Sequence, residues 1–404
     1  MLEKIVEASI ENRSYERASR ELSKLAEVEI PAKQCERVTQ RIGSERVAEQ
    51  QDEVARYSRL TLPEQMGGCP PGVPENFWES RAAVVELDGG RMQIRDERWG
   101  TPYQPGEARR HWWRETKAGC LMTFASRPQA EDPLPDLPAS LRDPLFAVPR
   151  FVELKRGRGQ GAEASESDGA AEPTAPPRHV QPEDFPRWSP EPLVRSMVAS
   201  CGSYEQLAER LRAAAWQRGF ARAQRKAFLG DGLPVNWTIH QHYFSHYVPI
   251  VDLMHALSYV YIAAIAASRD FEEGWRRYEG WAEAVWQGRV DAVVEHLEQL
   301  QASATEVNAA ELQRSLGYLK NNAARMRYHE YRQGGLPITT AHIESVNKQL
   351  NRRVKGTERF WSRPGGEPVL QLCADAISET EPLDAFWKQR SARATGFRKY
   401  RAST

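Results

Sequence analysis

The sequence predicts an α/β protein whose sheet is preceded by one helical region and interrupted by another. Two observations predict this class. Short apolar runs separated by turn residues lie between residues 82 and 125, a pattern typical of consecutive antiparallel strands. Apolar residues then recur at helical spacing from 256 to 333. A chain of 404 residues is long enough for roughly two to three domains, each with its own core.

The composition excludes several classes of protein. Lys+Arg and Asp+Glu both number 55, so a surface that binds nucleic acid must arise from local clustering of charge. The five cysteines contain no C-x-x-C pair, which argues against a disulfide framework and a complete zinc ribbon. Free thiols suit a reducing cytosol, and the charged N-terminus is unlike a secretory signal.

Residues 1–65 are predicted to form a helical region. Two helices are expected over 15–29 and 30–43, with Pro31 near the start of the second and Gly43 just past its end. A helix-turn-helix unit that binds DNA and an ordinary αα-hairpin are both compatible with this pattern.

The first strands are predicted from a change in texture. Residues 82–87 form an apolar run, 88–90 (DGG) read as a turn, and 91–97 alternate as a second strand. A third strand is expected over 112–125. This places Asp88 at a strand end.

The predicted core occupies 80–154 and 191–255. Residues 155–190 are rich in Gly, Ala, Ser, Glu and Pro and are expected to be a disordered insertion, with helices resuming over Glu191–Phe220. A strand then ends at Asp231. The apolar stretch 248–268 contains Asp252 and His255, and a buried strand followed by a core helix is favoured over a membrane span.

A helical insertion is expected over 256–335, followed in 336–404 by a closing helix and a basic tail. The closing helix has one apolar face formed by Ile343, Val346, Leu350 and Val354. The whole order is three antiparallel strands, a helix, two strands and then helices. This succession predicts an RNase H-like catalytic core.

Three acids carry the predicted chemistry: Asp88, Asp231 and Glu344. Taken singly, the aspartates are explained by turns and the glutamate by an ion pair with Lys348 on a helix surface. Taken together in RNase H-like order, they predict a shared site for two Mg²⁺ ions, with Mn²⁺ as a possible substitute.

Other polar residues leave alternatives open. Asp252 and His255 form D-x-x-H, compatible with a helix cap, a buried ion pair, a metal site or a substrate contact. The histidines of HQHYFSH show no zinc-ligand spacing with a cysteine or carboxylate. Three tryptophans of the helical tract are predicted to be core residues or platforms for flipped bases: Trp275, Trp281 and Trp286.

A basic run follows Glu344. It is predicted either to contact phosphates of DNA or to be a solvated helix end, and its candidate DNA-binding residues are Arg352, Arg353, Lys355 and Arg359.

Four blocks resemble bacterial insertion-sequence transposases of the ISKra4 type, within the Mutator-like DDE group: VVELDGGRMQIR, RKAFLGDGLPVNWTIHQHYF, VPIVDLMHALSYVYIAA and ITTAHIESVNKQLNRRVKGTERFW. The resemblance implies an RNase H-like domain with a helical insertion and Mg²⁺-dependent cleavage and strand transfer at terminal inverted repeats. By motif match it implies Asp88, Asp231 and Glu344 as catalytic and metal-binding residues. Asp252 and His255 match the family's [C/D]-x-x-H pattern, which supports the site.

The resemblance also implies partners and location. It predicts binding of double-stranded DNA, both element ends and target, by a homo-oligomer in the bacterial cytoplasm, associated with the nucleoid. Relatives often carry a cysteine-rich zinc-binding segment before the helix-turn-helix-like region, and this sequence shows none there, which is compatible with an N-terminally truncated copy but does not decide it. Two further alternatives are a catalytically silent transposase-derived DNA-binding protein and an RNase H-like nuclease without strand transfer.

Overall fold

The computed structural model describes residues 1–68, 70, 72–102, 111–159, 190–301, 306–356 and 359–393. The strands are β1 (Arg81–Arg95), β2 (Trp113–Ala125), β3 (Glu191–Ser200), β4 (Arg225–Gly230), β5 (Val248–Val251) and β6 (Phe360–Ser362). The helices before β4 are α1 (Leu2–Glu11), α2 (Tyr15–Ala26), α3 (Ala32–Ser58), α4 (Leu62–Gly67), α5 (Ala139–Arg142), α6 (Pro144–Gly159) and α7 (Tyr204–Gln217). Those after β4 are α8 (Pro234–Tyr243), α9 (Leu253–Ala266), α10 (Phe271–Trp286), α11 (Val290–Gln301), α12 (Glu306–Asn322), α13 (Tyr328–Gln333), α14 (Ala341–Val354), α15 (Arg363–Ile377) and α16 (Pro382–Arg393).

The centre of the protein is a mixed sheet with the order β3-β2-β1-β4-β5, and β6 pairs with the far end of β1. Strand β2 is antiparallel to both β1 and β3. Strands β1, β4 and β5 are parallel to one another. The predicted α/β class is confirmed, with antiparallel strands first and parallel strands after them.

The turn predicted at residues 88–90 is wrong. Strand β1 runs through it without interruption, and Asp88, Gly89 and Gly90 pair with Ala118, Lys117 and Thr116 of β2. A Cβ built on Gly90 would lie 2.7 Å from the Thr116 hydroxyl. Gly90 therefore permits close strand approach, and Asp88 lies within a strand.

The helix predicted from Glu191 is also wrong over its first ten residues, which form strand β3 at the edge of the sheet. Pairing with β2 decides the conformation, and Pro192 is tolerated because an edge strand has one unpaired side. Helix α7 then begins at a capping box formed by Ser203 and Gln206.

Two predicted segments fall partly or wholly outside the described residues. Residues 155–159 continue helix α6, and 160–189 of the predicted insertion lie beyond the described ranges. The final residues of the predicted basic tail, 394–404, also lie outside them.

The two faces of the sheet bury different helices because side chains alternate along β1. Ala82 and Val84 share a core with α14 and α15, whereas Ala83 and Val85 pack with α7. The face beneath α14 is the one that carries Asp88, since this residue has the same parity as Val84.

The helices of the tract 256–333 pack against one another and share a core with one face of the sheet. Trp275, Trp281 and Trp286 are buried, which confirms their prediction as core residues, and the indole N–H of Trp286 donates to the Leu134 carbonyl at 2.9 Å. The stretch 248–268 forms β5 and α9, as predicted. No described helix combines the length and apolarity needed to cross a membrane.

The second predicted N-terminal helix does not end before Gly43. Helix α3 continues to Ser58, and Gly43 lies where α3 crosses α15. A Cβ on Gly43 would lie 2.6 Å from the Pro368 carbonyl oxygen and 2.7 Å from the Pro368 Cβ. Close helix packing therefore explains this glycine.

Replacing Gly43 with alanine is expected to lower the free energy of unfolding by about 1–3 kcal/mol, because the added methyl overpacks a backbone contact. The matched control is Gly280→Ala in helix α10, where an added Cβ meets nothing within 4 Å. This control should gain up to about 1 kcal/mol from helix propensity. Urea unfolding followed by circular dichroism measures both, and equal gains in the two variants would contradict the packing argument.

Candidate active site

Asp88 and Asp231 are brought together by the pairing of β1 with β4. The last paired residues are Glu86 and Leu229, and continuing this parallel register by two positions sets Asp231 beside Asp88. Asp88 lies four positions after Val84, and Asp231 lies two positions after Leu229. Val84 and Leu229 belong to the core beneath α14, and side chains alternate along a strand, so both aspartates lie on that face. Burial raises the pKa of Asp88, and the negative charge of Asp231 raises it further.

The G-D-G segment is shaped by side chains from two helices. The Oδ1 atom of Asp231 accepts from the Leu233 amide at 3.0 Å and from the Asn236 side chain at 2.9 Å. A Cβ on Gly230 would lie 2.8 Å from Asn236 Nδ2. Gly232 has a φ of 89° and lies against the Tyr318 ring of α12. These glycines make room for Asn236 and Tyr318.

Tyr318 connects the helical tract to the second aspartate. Its hydroxyl donates to the Asp231 carbonyl at 3.0 Å, and its ring stacks on Tyr259 of α9 with a centroid distance of 3.8 Å. The backbone of Asp231 is thereby fixed from a part of the chain that is far away in sequence.

Helix α14 carries Glu344 in its first turn, and two buried carboxylates hold that turn. Asp252 Oδ2 accepts from the Thr340 amide at 2.6 Å and from the Thr340 hydroxyl at 2.9 Å. Glu86 Oε2 accepts from the Ile343 amide at 3.1 Å. The first amides of a helix have no partner within it and carry partial positive charge, so carboxylates satisfy them well.

One turn further along α14, Asn347 reaches the first aspartate. Its side-chain amide donates to Asp88 Oδ2, and the Gly89 amide donates to Asp88 Oδ1 at 2.7 Å. Both hydrogen bonds lower the pKa of Asp88 and oppose the effect of its burial. Asp88 is therefore oriented by its own strand and by α14.

Glu344 lies close enough to Asp252 and Asp88 for their negative charges to act on its carboxyl. Burial raises the pKa of Glu344 to about 7, the charges of Asp252 and Asp88 add to the rise, and His255 opposes it. The alternative explanation of Glu344, an ion pair with Lys348 on the helix surface, is not what the structure shows, because Lys348 Nζ lies 3.2 Å from a Glu153 carboxylate oxygen of α6.

The D-x-x-H pair combines two of its four proposed roles. Asp252 caps α9 by accepting from the His255 amide at 2.8 Å, and His255 Nδ1 lies 3.1 Å from the same oxygen. Although burial alone would raise it, the pKa of Asp252 lies below its usual value because His255 and Thr340 stabilise the anion. Asp252 is thus a buried junction between β5, α9 and α14.

Glu86 is a residue that the sequence prediction missed. It is 0 % exposed, and burial raises its pKa to about 8. The sequence contains an observation that points to it: Glu86 is the one acid in the apolar run 82–87. It lies two residues before Asp88 and hence on the same face of the strand.

The basic residues after α14 divide into two groups. Arg352 and Lys355 are exposed. Arg353 is buried; its Nε donates to the Ser9 carbonyl at 2.7 Å, and its guanidinium lies over the rings of Tyr15 and Trp361. Arg359 donates to the Lys355 carbonyl at 3.0 Å and so caps the end of α14. Arg353 and Arg359 therefore have structural partners.

The donor set suits a hard divalent cation. Across the described part of the chain, no three Asp, Glu, His or Cys side chains form a ready-made metal site. Burial raises the pKa of both Asp88 and Glu344, and the charge of Asp231 adds to the rise at Asp88 as the charge of Asp88 does at Glu344. Mg²⁺ keeps several waters and shares substrate phosphates, so it fits a site with few protein ligands.

No protein-family model matches this chain, and no curated protein sequence matches it significantly.

Proposed function

We propose that this protein is a DDE transposase with an RNase H-like core that cleaves and joins DNA with Mg²⁺. The observation that carries the proposal is the position of Asp88 on β1 and of Asp231 directly after the neighbouring parallel strand β4, with Asp88 held by Asn347 of α14, the helix that bears Glu344. The order of β1 to β5, antiparallel and then parallel, is the succession expected of an RNase H-like core.

The roles of the chain's own residues follow from their contacts. Asp88, Asp231 and Glu344 would hold the metal ions, which when bound stabilise the attacking and leaving oxygens of a phosphoryl displacement. Asn347 and Gly89 orient Asp88, while Asn236 and Tyr318 fix Asp231. These contacts would keep the carboxylates in place before the substrate arrives.

Exposed cations at the end of α14 support DNA binding. Arg352 lies in the last turn of α14, and Lys355 directly follows that helix. Both side chains are exposed to solvent, so they can contact phosphates. Such contacts would add affinity without sequence preference. The chain as a whole is neutral, so the position of these cations matters more than their number.

The experiment uses the full chain with labelled duplexes that cover the DNA flanking its coding sequence. We expect nicks at a defined position in Mg²⁺, none in EDTA, and joined products when a second duplex is supplied. Nicks without joined products would favour an RNase H-like nuclease. Binding without nicks in Mg²⁺ or Mn²⁺ would favour a silent DNA-binding protein, and neither binding nor nicking would reject the proposal.

A further inference from the structure

We propose that Glu86 is a positioning residue that sets Glu344 relative to Asp88 by holding the first turn of α14 against β1. The inference rests on the proposed function for its kinetic test, but the contact itself is measurable in the protein alone. It assigns a task to a carboxylate that the four sequence blocks do not mark as catalytic.

The burial of Glu86 requires an explanation. Its neighbours in β1 are Val85 and Leu87, both buried, and it is fully enclosed itself. Removing a glutamate from water is strongly unfavourable unless the carboxyl gains partners. Among the described residues, Oε1 of Glu86 has no hydrogen-bond partner. The contact of this carboxyl with α14 therefore depends on Oε2, which accepts from the Ile343 amide.

That hydrogen bond is placed between two of the proposed metal-binding residues. Glu86 is two positions before Asp88 on the same face of β1, and Ile343 directly precedes Glu344. The Thr340 side chain does not cap α14, so an acceptor from outside the helix satisfies the Ile343 amide. One contact thereby links the strand of the first acid to the turn of the last.

Three carboxylates hold the start of α14: Asp252 at Thr340 from the end of β5, and Glu86 at Ile343 and Asp88 at Asn347 from β1. Of the two contacts from β1, the one made by Glu86 is at the first turn, which bears Glu344. Without it, that turn would lose its hydrogen bond to β1 and Glu344 would shift. A displacement of about 1 Å at a catalytic group can lower a rate by roughly 10²-fold.

The test compares three substitutions at position 86. Glu86→Gln keeps an oxygen that can accept from the Ile343 amide, Glu86→Asp keeps the charge but is one methylene shorter, and Glu86→Ala removes the acceptor. We expect near-normal single-turnover nicking for Gln. For Asp and Ala we expect losses of about 10²-fold at saturating DNA, with unchanged DNA affinity. An active Asp variant beside an inactive Gln variant would overturn the proposal, because charge would then matter more than reach.

Hydrogen exchange gives a readout that does not depend on activity. The amides of 341–347 should exchange faster in the Ala and Asp variants than in wild type and Gln, and equal protection in all four would overturn the proposal. The control is Asp375→Asn, another fully buried acid, which accepts from Arg46 at 2.9 Å and joins α3 to α15. It should lower Tm and leave both nicking and exchange of 341–347 unchanged. If the wild-type protein does not nick DNA but the four proteins still differ in exchange as expected, the transposase function is refuted and the positioning contact is retained.

Discussion

Replacing Asp231 with asparagine is expected to lower Mg²⁺-dependent DNA cleavage by about 10³-fold without destabilising the protein. A metal ion contributes several kcal/mol of transition-state stabilisation, and about 4 kcal/mol corresponds to roughly 10³-fold in rate. Asparagine retains an oxygen for the Leu233 and Asn236 donors. It also removes the negative charge that raises the pKa of Asp88, so the free energy of unfolding should stay unchanged or rise.

The matched control for this variant is Asp270→Asn. Asp270 caps α10 by accepting from the Glu273 amide at 2.9 Å, and asparagine caps helices about as well. The control should cleave like wild type. Single-turnover nicking, gel-shift affinity and urea unfolding are measured on the same preparations. Wild-type cleavage by Asp231→Asn would reject Asp231 as a metal ligand, and a large loss of stability would show a structural role instead.

Asp252→Ala is expected to lower the free energy of unfolding by about 3–5 kcal/mol and to abolish cleavage. The variant leaves the Thr340 amide and hydroxyl and the His255 amide without their acceptor in a buried place. Helix α14 would lose its anchor on β5, and Glu344 would lose its position with it.

A graded comparison separates this junction from a single hydrogen bond. Thr340→Val removes only the hydroxyl that donates to Asp252 and keeps the amide, so it should lower the free energy of unfolding by about 1 kcal/mol. Urea unfolding of both variants gives the two values. A small effect of Asp252→Ala, equal to that of Thr340→Val, would contradict the role of Asp252 as a junction.

The sequence predicted those features that depend on local periodicity. The apolar face of α14 is buried at Ile343, Val346, Leu350 and Val354, as its spacing indicated. The strand before Asp231 and the strand-to-helix change after residue 248 were also predicted, because each is a short apolar run followed by a helix signal.

Features that depend on distant contacts were not predictable in this way. D-G-G is a turn signal, yet pairing with β2 extends β1 through it. Gly43 resembles a helix end, yet it marks the crossing with Pro368. Arg353 was indistinguishable from its basic neighbours, and only the fold shows that Tyr15 and Trp361 enclose it.

The anchoring of α14 by β1 and β5 also has a consequence for the time at which the protein matures. Synthesis proceeds at about 5–20 residues per second, so roughly ten to fifty seconds separate Asp88 from Glu344 on the ribosome. Throughout this interval β1 is without α14, and β6, which pairs with the end of β1, is made later still. Most of the chain is therefore synthesised before the three carboxylates can come together. A product that stops ahead of Thr340 would expose the apolar face of β1 and would be a substrate for chaperones and proteases.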